Sequence, residues 1–323
     1  MMKCLKQVAV LLATACAFTG AHAQKYPERP VTLVIPFPPG ASTDAFGRLV
    51  AQRMALDLKQ QVVVVNRDGA AGVIGTNYVA RAAPDGYTLL WGTSSGLAIM
   101  PALKTKLPYD PQRDFAPISL GAKVSWVLVV HPSVPADNVK ALVAIAKKHP
   151  GKLNFASAGT GGAPHLAGEL FKVTTGIDVV HIPYRGTALF AVDLVAGQVD
   201  YGFASPLTTQ PFTRTGRLKA LAVTAAKRID VYPDIPTMGE AGYPKFELTQ
   251  WYAMVAPAGT PAGIIATLNA AVRNALTDPK LIKRLAEDSG MPAPTTPEGL
   301  AEFIRNDTAA YAKVVEKAGI KTE

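Results

Sequence analysis

The sequence predicts an α/β protein made of two doubly wound lobes with a cleft between them. Three observations predict it. Short apolar runs alternate with helical periodicities, the pattern of parallel strands joined by helices. Turn residues punctuate those runs closely, with 27 Gly and 26 Pro in 323 residues. The alternation comes as two successive sets, and then gives way to helix alone.

In the first set, Val31–Phe37 is a continuous apolar run, as expected of a strand buried on both faces. The loop Pro38–Asp44 follows. Leu49, Val50, Arg53, Met54, Asp57 and Leu58 then recur at helical spacing, with the helix expected to begin near Ala45. Val62–Val65 reads as the next strand, with a helix near Gly75–Ala82. Pro84-Asp85-Gly86 turns the chain into strand Tyr87–Trp91, which ends in Gly92-Thr93-Ser94-Ser95-Gly96. The second set reads as strands Trp126–His131, Leu153–Ala156, Val179–Pro183, Val199–Ala204 and Lys219–Thr224. Its helices are Val139–Lys148, His165–Thr174 and Thr187–Ala196.

Three helices of roughly 262–277, 280–289 and 298–318 complete the chain. Thr260-Pro261, Asp278-Pro279 and Thr296-Pro297 each offer an N-cap followed by Pro at the first helical position. These helices have no strands of their own, so they are expected to pack on the first sheet. The chain should cross near Ile118–Trp126 and return near Leu248–Val255. Residues 24–123 and 248–323 then form one lobe and 124–247 the other.

Residues 1–23 read as an export signal. Lys3 and Lys6 precede the short apolar run Val8–Ala17, and Ala21-His22-Ala23 is a small-x-small cleavage pattern, so cutting after Ala23 is expected. A lipid anchor at Cys16 is the weaker alternative, because the Ala13-Thr14-Ala15 before it lacks the expected leading Leu. Cleavage removes both cysteines and leaves 31 basic against 24 acidic residues. Hydrophobic residues at 49% and charged residues at 18% exclude a disordered chain. The basic residues are scattered and no aromatics interleave them, which argues against nucleic acid.

The chemistry-bearing patterns are few. Gly92-Thr93-Ser94-Ser95-Gly96 matches G-x-S-x-G after a strand, the form of a serine nucleophile elbow. The last His is His181, however, whereas such a triad places its His late. His131, His149, His165 and His181 form no i, i+4 pair, and no dinucleotide or phosphate-loop fingerprint appears, so no cofactor or metal is expected. What recurs is a strand ending in a small, donor-rich loop that opens a helix, at Pro38–Asp44, Gly92–Gly96 and Ser157–Pro164. Free N–H groups at a helix start carry partial positive charge and bind carboxylate or phosphate. Ser42, Thr43, Thr93, Ser94, Ser157 and Thr160 add hydroxyls. Three such loops shared between two lobes point to an anion held in the cleft.

The chain resembles the Bug-type receptors of tripartite tricarboxylate transporters. The resemblance rests on Tyr26–Gly40 (YPERPVTLVIPFPPG) with Asp44 and Arg48, on Asn66-Arg67 with Gly69 and Gly72, and on Pro84–Thr88. It continues through Ala156–Thr160 with His165–Glu169, Pro183–Gly186, Leu221–Thr224 with Arg228, Pro236-Thr237 with Glu240–Pro244, and Trp251-Tyr252 with Ala256–Pro261. It implies a type II periplasmic binding fold with a hinged cleft, no catalysis, a monomer in the periplasm, and delivery of a small carboxylate to membrane transporter subunits.

It implies that the loop after the first strand and the Ser-Ala-Gly loop of the second lobe hold the ligand, and the donor loops read from the sequence extend that site. The expected ligand-binding residues are Phe37, Pro39, Gly40, Ala41, Ser42, Asp44 and Gly72, with Thr93 and Ser94. The second lobe should contribute Ser157, Ala158, Gly159, Thr160, His165, Tyr184, Arg185, Ala204 and Ser205. Three of these are ambiguous. Arg185 could pair with the ligand or, the favoured reading, tie its turn to neighbouring backbone. His165 could donate to the ligand or close its own turn. Asp44 is expected to cap its helix, supported by a pair with Arg48. The family usually has Gly-Gly where this chain has Gly40-Ala41, and Pro-Gly-Ala-Gly-Gly where it has Asp68-Gly69-Ala70-Ala71-Gly72. It often has an acid where this chain has Ala204-Ser205-Pro206, and that absence favours a plain mono- or dicarboxylate over an amino acid.

Overall fold

β1 (Val31–Ile35) is buried on both faces, which its unbroken apolar run requires. The computed structural model that shows this describes residues 26–103, 106–244, 246 and 248–318. The proposed signal segment and its cleavage point lie outside the described residues. After β1 come α1 (Ser42–Leu58), β2 (Val62–Asn66), α2 (Val73–Ala80) and β3 (Thr88–Thr93). β1 pairs in parallel with both β2 and β3. Beyond β3 the chain makes a π-helical turn at Ser95–Ile99 instead of an ordinary loop.

β4 (Phe115–Ser125), paired along its length with the later strand Thr249–Pro257, passes through Trp126 directly into β5 (Val127–Val130) of a second sheet. The second lobe follows: α3 (Val139–Lys148), β6 (Asn154–Ser157), α4 (Ala163–Thr175), β7 (Val180–Pro183), α5 (Thr187–Val195), β8 (Tyr201–Ala204), α6 (Pro206–Thr213) and β9 (Lys219–Val223). The chain returns along β10 (Thr249–Pro257) and closes with α7 (Ala262–Ala275), α8 (Pro279–Ala286), β11 (Met291–Pro292) and α9 (Pro297–Ala318). The sheet orders are β11-β4-β10-β3-β1-β2 and β7-β6-β8-β5-β9.

The sheets depart from the expected parallel winding. β10 is antiparallel to β3 and β4, and β5 is antiparallel to β8 and β9. These are the crossing strands and their neighbours. A strand that leaves one lobe and a strand that returns to it lie side by side, so they must run in opposite directions. Thr224 ties the two crossings together. Its hydroxyl accepts the Trp126 N–H at 2.9 Å and donates to the Leu248 carbonyl at 2.6 Å.

The expected caps hold in part. Asp278 accepts from the N–H groups of Lys280 and Leu281, and Thr296 accepts from Gly299. Thr260 does not cap α7; its hydroxyl turns back to the Pro257 carbonyl, and Pro261 takes the cap position. α1 begins at Ser42, three residues before the expected start at Ala45, with Ala41 at its cap.

Candidate functional site

The seam between the lobes forms a narrow cleft that encloses about 30 Å³, within a hollow of about 520 Å³ that includes open solvent. β1 delivers Phe37, Pro38, Ala41, Ser42 and Thr43 to its first wall. Gly40, at φ +99°, makes the turn that aims the start of α1 inward, and its N–H donates to Asp44 Oδ2 at 3.3 Å. Ala41 has an ordinary extended φ of −108°, so the usual second glycine is not needed there. Ala71, by contrast, sits at φ +51°, in the left-handed region, where the family usually has Gly.

The opposite wall comes from two helix starts of the second lobe, Ala158, Gly162 and Pro164 at α4 and Gly186, Thr187 and Ala188 at α5. Trp126, Gln250 and Tyr252 from the crossing strands form the floor, with Ser95 and Ser205 beside them. A helix leaves its first N–H groups unpaired, so α1 presents Ser42 and Thr43 and α5 presents Thr187 and Ala188. At α4 the Ala163 N–H is already taken by Ser95 Oγ at 3.0 Å. Trp126 is buried, and its indole N–H has no partner among the described residues. Gln250 accepts from Ser94 Oγ through Oε1 at 2.9 Å, which leaves its NH₂ as a donor. Among the described residues, none that lines the cleft is charged.

Of the residues expected from sequence, Phe37, Ala41, Ser42, Ala158 and Ser205 line this cleft. Gly159, Thr160, Tyr184 and Arg185 line a second, more open depression between the lobes. Arg185 is exposed there and makes no hydrogen bond or ion pair among the described residues, so it does not tie its turn to backbone. The Tyr184 hydroxyl donates to Asp193 at 2.7 Å.

The remaining expected residues stand behind the walls. Pro39 and Gly40 shape the loop, and Gly72 backs the Phe37 ring. Thr93 and Ala204 are buried at strand ends. Ser157 holds its loop, bonded to His181 Nε2 at 2.6 Å and accepting the Gly159 N–H at 3.2 Å. His165 closes its turn, since Nδ1 accepts the Gly161 N–H at 3.1 Å; burial pushes its ring down to about 4, so it stays neutral.

Asp44 also stands behind the wall, and it does not cap α1 from the N-cap position. It lies in the first turn and reaches back to Gly40, while Arg48 and Asn66 donate to it at 3.0 and 2.8 Å. Ser94 is fully buried and committed to Gln250, so the G-x-S-x-G match is not an exposed nucleophile.

The floor residues and the α5 start were not foreseen. Pro183–Gly186 followed by a helix repeats the strand, Gly loop, helix pattern of the other three loops. Trp126, Gln250 and Tyr252 sit on the segments expected to cross between lobes, which a cleft must have beneath it.

The relatives agree with this architecture. The model of the tripartite tricarboxylate transporter family receptor matches residues 46–320. The solved periplasmic binding protein BugD is 37% identical, with TM-score 0.88, over 92% of this chain and 100% of its own. An R. palustris protein solved with adipate is 35% identical, with TM-score 0.88, over 92% and 99% of the two chains. MatC from Rhodopseudomonas palustris, solved with bound malate, is 34% identical, with TM-score 0.86, over 90% and 100%. These are binding proteins and not enzymes, they share this fold over at least 90% of the chain, and the chain accordingly belongs to the tripartite tricarboxylate transporter family receptors, as a periplasmic solute-binding receptor.

Proposed function

We propose that the protein captures a small carboxylate in the cleft between its lobes and delivers it to the membrane subunits of a tripartite tricarboxylate-type transporter. One observation carries the reading. Helix starts from both lobes converge on a buried cleft that has no charged side chain in its lining. Main-chain N–H groups at such positions favour an anion. Ser42, Thr43, Thr187 and Ala188 would hold the carboxylate, with the Trp126 indole N–H and the Gln250 amide as side-chain donors. The absence of an acid around Ser205 favours a plain mono- or dicarboxylate. The adipate and malate of the two R. palustris structures fit that class.

Export to the periplasm would follow cleavage after Ala23, and the receptor would act as a monomer. Calorimetric titration with malate, adipate, citrate, benzoate and glutamate tests the reading. Binding to at least one carboxylate with no binding of glucose is the expected outcome. Binding of glucose alone would overturn it. A deletion strain should lose uptake of the acid that binds.

A further inference from the structure

Asp288 follows α8 in the first lobe, and its side chain is fully buried. It reaches across the seam, where its Oδ1 accepts the Leu207 N–H in the first turn of α6, in the second lobe. The hydroxyls of Ser42 and Ser205 face the same carboxyl and pair with each other across the seam at 2.6 Å. Its Oδ2 has no hydrogen-bond partner among the described residues. Among the described residues no cation is bonded to it: Arg284, on α8, acts on it only through space and is bonded to Glu287. From β10 and the segment after β9 the nearby titratable groups are Tyr252 and Tyr232, and from α1 and α6 only hydroxyls and N–H groups approach.

A carboxylate buried without a cation is costly, and part of this burial comes from the second lobe. We propose that Asp288 is a positioning residue for capture, which grips the start of α6 and the Ser42–Ser205 pair only when the lobes are shut. Burial pushes its carboxyl up to about 7, against the Leu207 N–H and the facing Ser42 and Ser205 hydroxyls, which favour the charged form. Opening returns water to the group and brings it back toward the ordinary carboxylate range. The shut form therefore binds a proton that the open form releases.

The sign follows from linkage. Closure is favoured at acid pH, weakens as pH rises from the ordinary carboxylate range to about 7, and is flat above that. A carboxylate bound beside Ser42 would push the same way; that part alone rests on the function proposed above.

The test is calorimetric titration of malate, or of adipate where malate fails to bind, at pH 6 and pH 8. The wild type should bind roughly tenfold more weakly at pH 8. Asp288→Asn, which keeps an acceptor for Leu207 but cannot titrate, should bind equally at both. A flat wild-type profile, or the same slope in the variant, overturns the inference. Should neither acid bind, the function above fails but Asp288 stays testable. Amide exchange at Leu207 and an interlobe spin-label distance, without ligand, should then show the lobes opening from pH 6 to pH 8 in wild type and not in Asp288→Asn. Unchanged exchange and distance would overturn the proposal. If Asp288→Asn fails to fold, the wild-type pH series decides alone.

Discussion

Asp44 shows how a residue can be read correctly in kind and wrongly in place. Its pairing with Arg48 was legible, because i, i+4 spacing on a helix brings such side chains together. Its role at the helix start was mistaken by three residues, since Ser42 and Thr43 already adopt helical geometry. Burial pushes its carboxyl up, but the hydrogen bonds from Arg48, Asn66 and the Gly40 N–H together hold it below the usual range. A lowered carboxyl contributes stability above the ordinary range and loses it as pH falls through its own value. Asp44→Ala strands three donors and should cost about 2 kcal/mol in urea unfolding at pH 7. Asp44→Asn should cost less, and its stability should fall less than that of the wild type on acidification below pH 4. Because the side chain stands behind the wall, Asp44→Asn should keep carboxylate affinity within a few-fold of wild type.

At the scale of elements, strands and helices alternating over regular distances were readable, and α3 lies where its periodicity puts it, at Val139–Lys148. β4 and β10 were foreseen only as crossings, because each is part core strand and part connector and so shows no single period. α6 was missed because Pro206 and Pro211 interrupt its pattern. The α5 start offers a clean element-level test. Gly186 is extended before Thr187, a geometry that accepts a following Pro. Thr187→Pro should preserve the helix while deleting one N–H at the cleft. The expected result is about 1.5 kcal/mol of lost carboxylate affinity, roughly tenfold by calorimetry, at an unchanged melting temperature. Equal affinity would mean that the N–H does not meet the ligand.

On the scale of the whole molecule, the two lobes meet through few polar contacts: Ser42 with Ser205, the Ala163 N–H with Ser95, and Leu207 with Asp288. The covalent connection runs through the crossing strands, which Thr224 fastens together. No sequence pattern marks Thr224 as the fastener, since its value depends on two segments far from it in the chain. Thr224→Val leaves two buried main-chain groups without partners and should cost about 3 kcal/mol of stability. It should also broaden the interlobe distance distribution measured between spin labels; a distribution as narrow as that of the wild type would locate the hinge elsewhere. The uncharged cleft has a consequence for descent. On the proposed reading most of the grip on the carboxylate is made of peptide groups, and every residue but proline supplies one. Drift at those positions leaves that part of the grip intact, while substitution of Phe37 or Tyr252 reshapes the space around the rest of the molecule. A lineage built this way can exchange one acid for another without ever passing through a form that has lost its hold on acids.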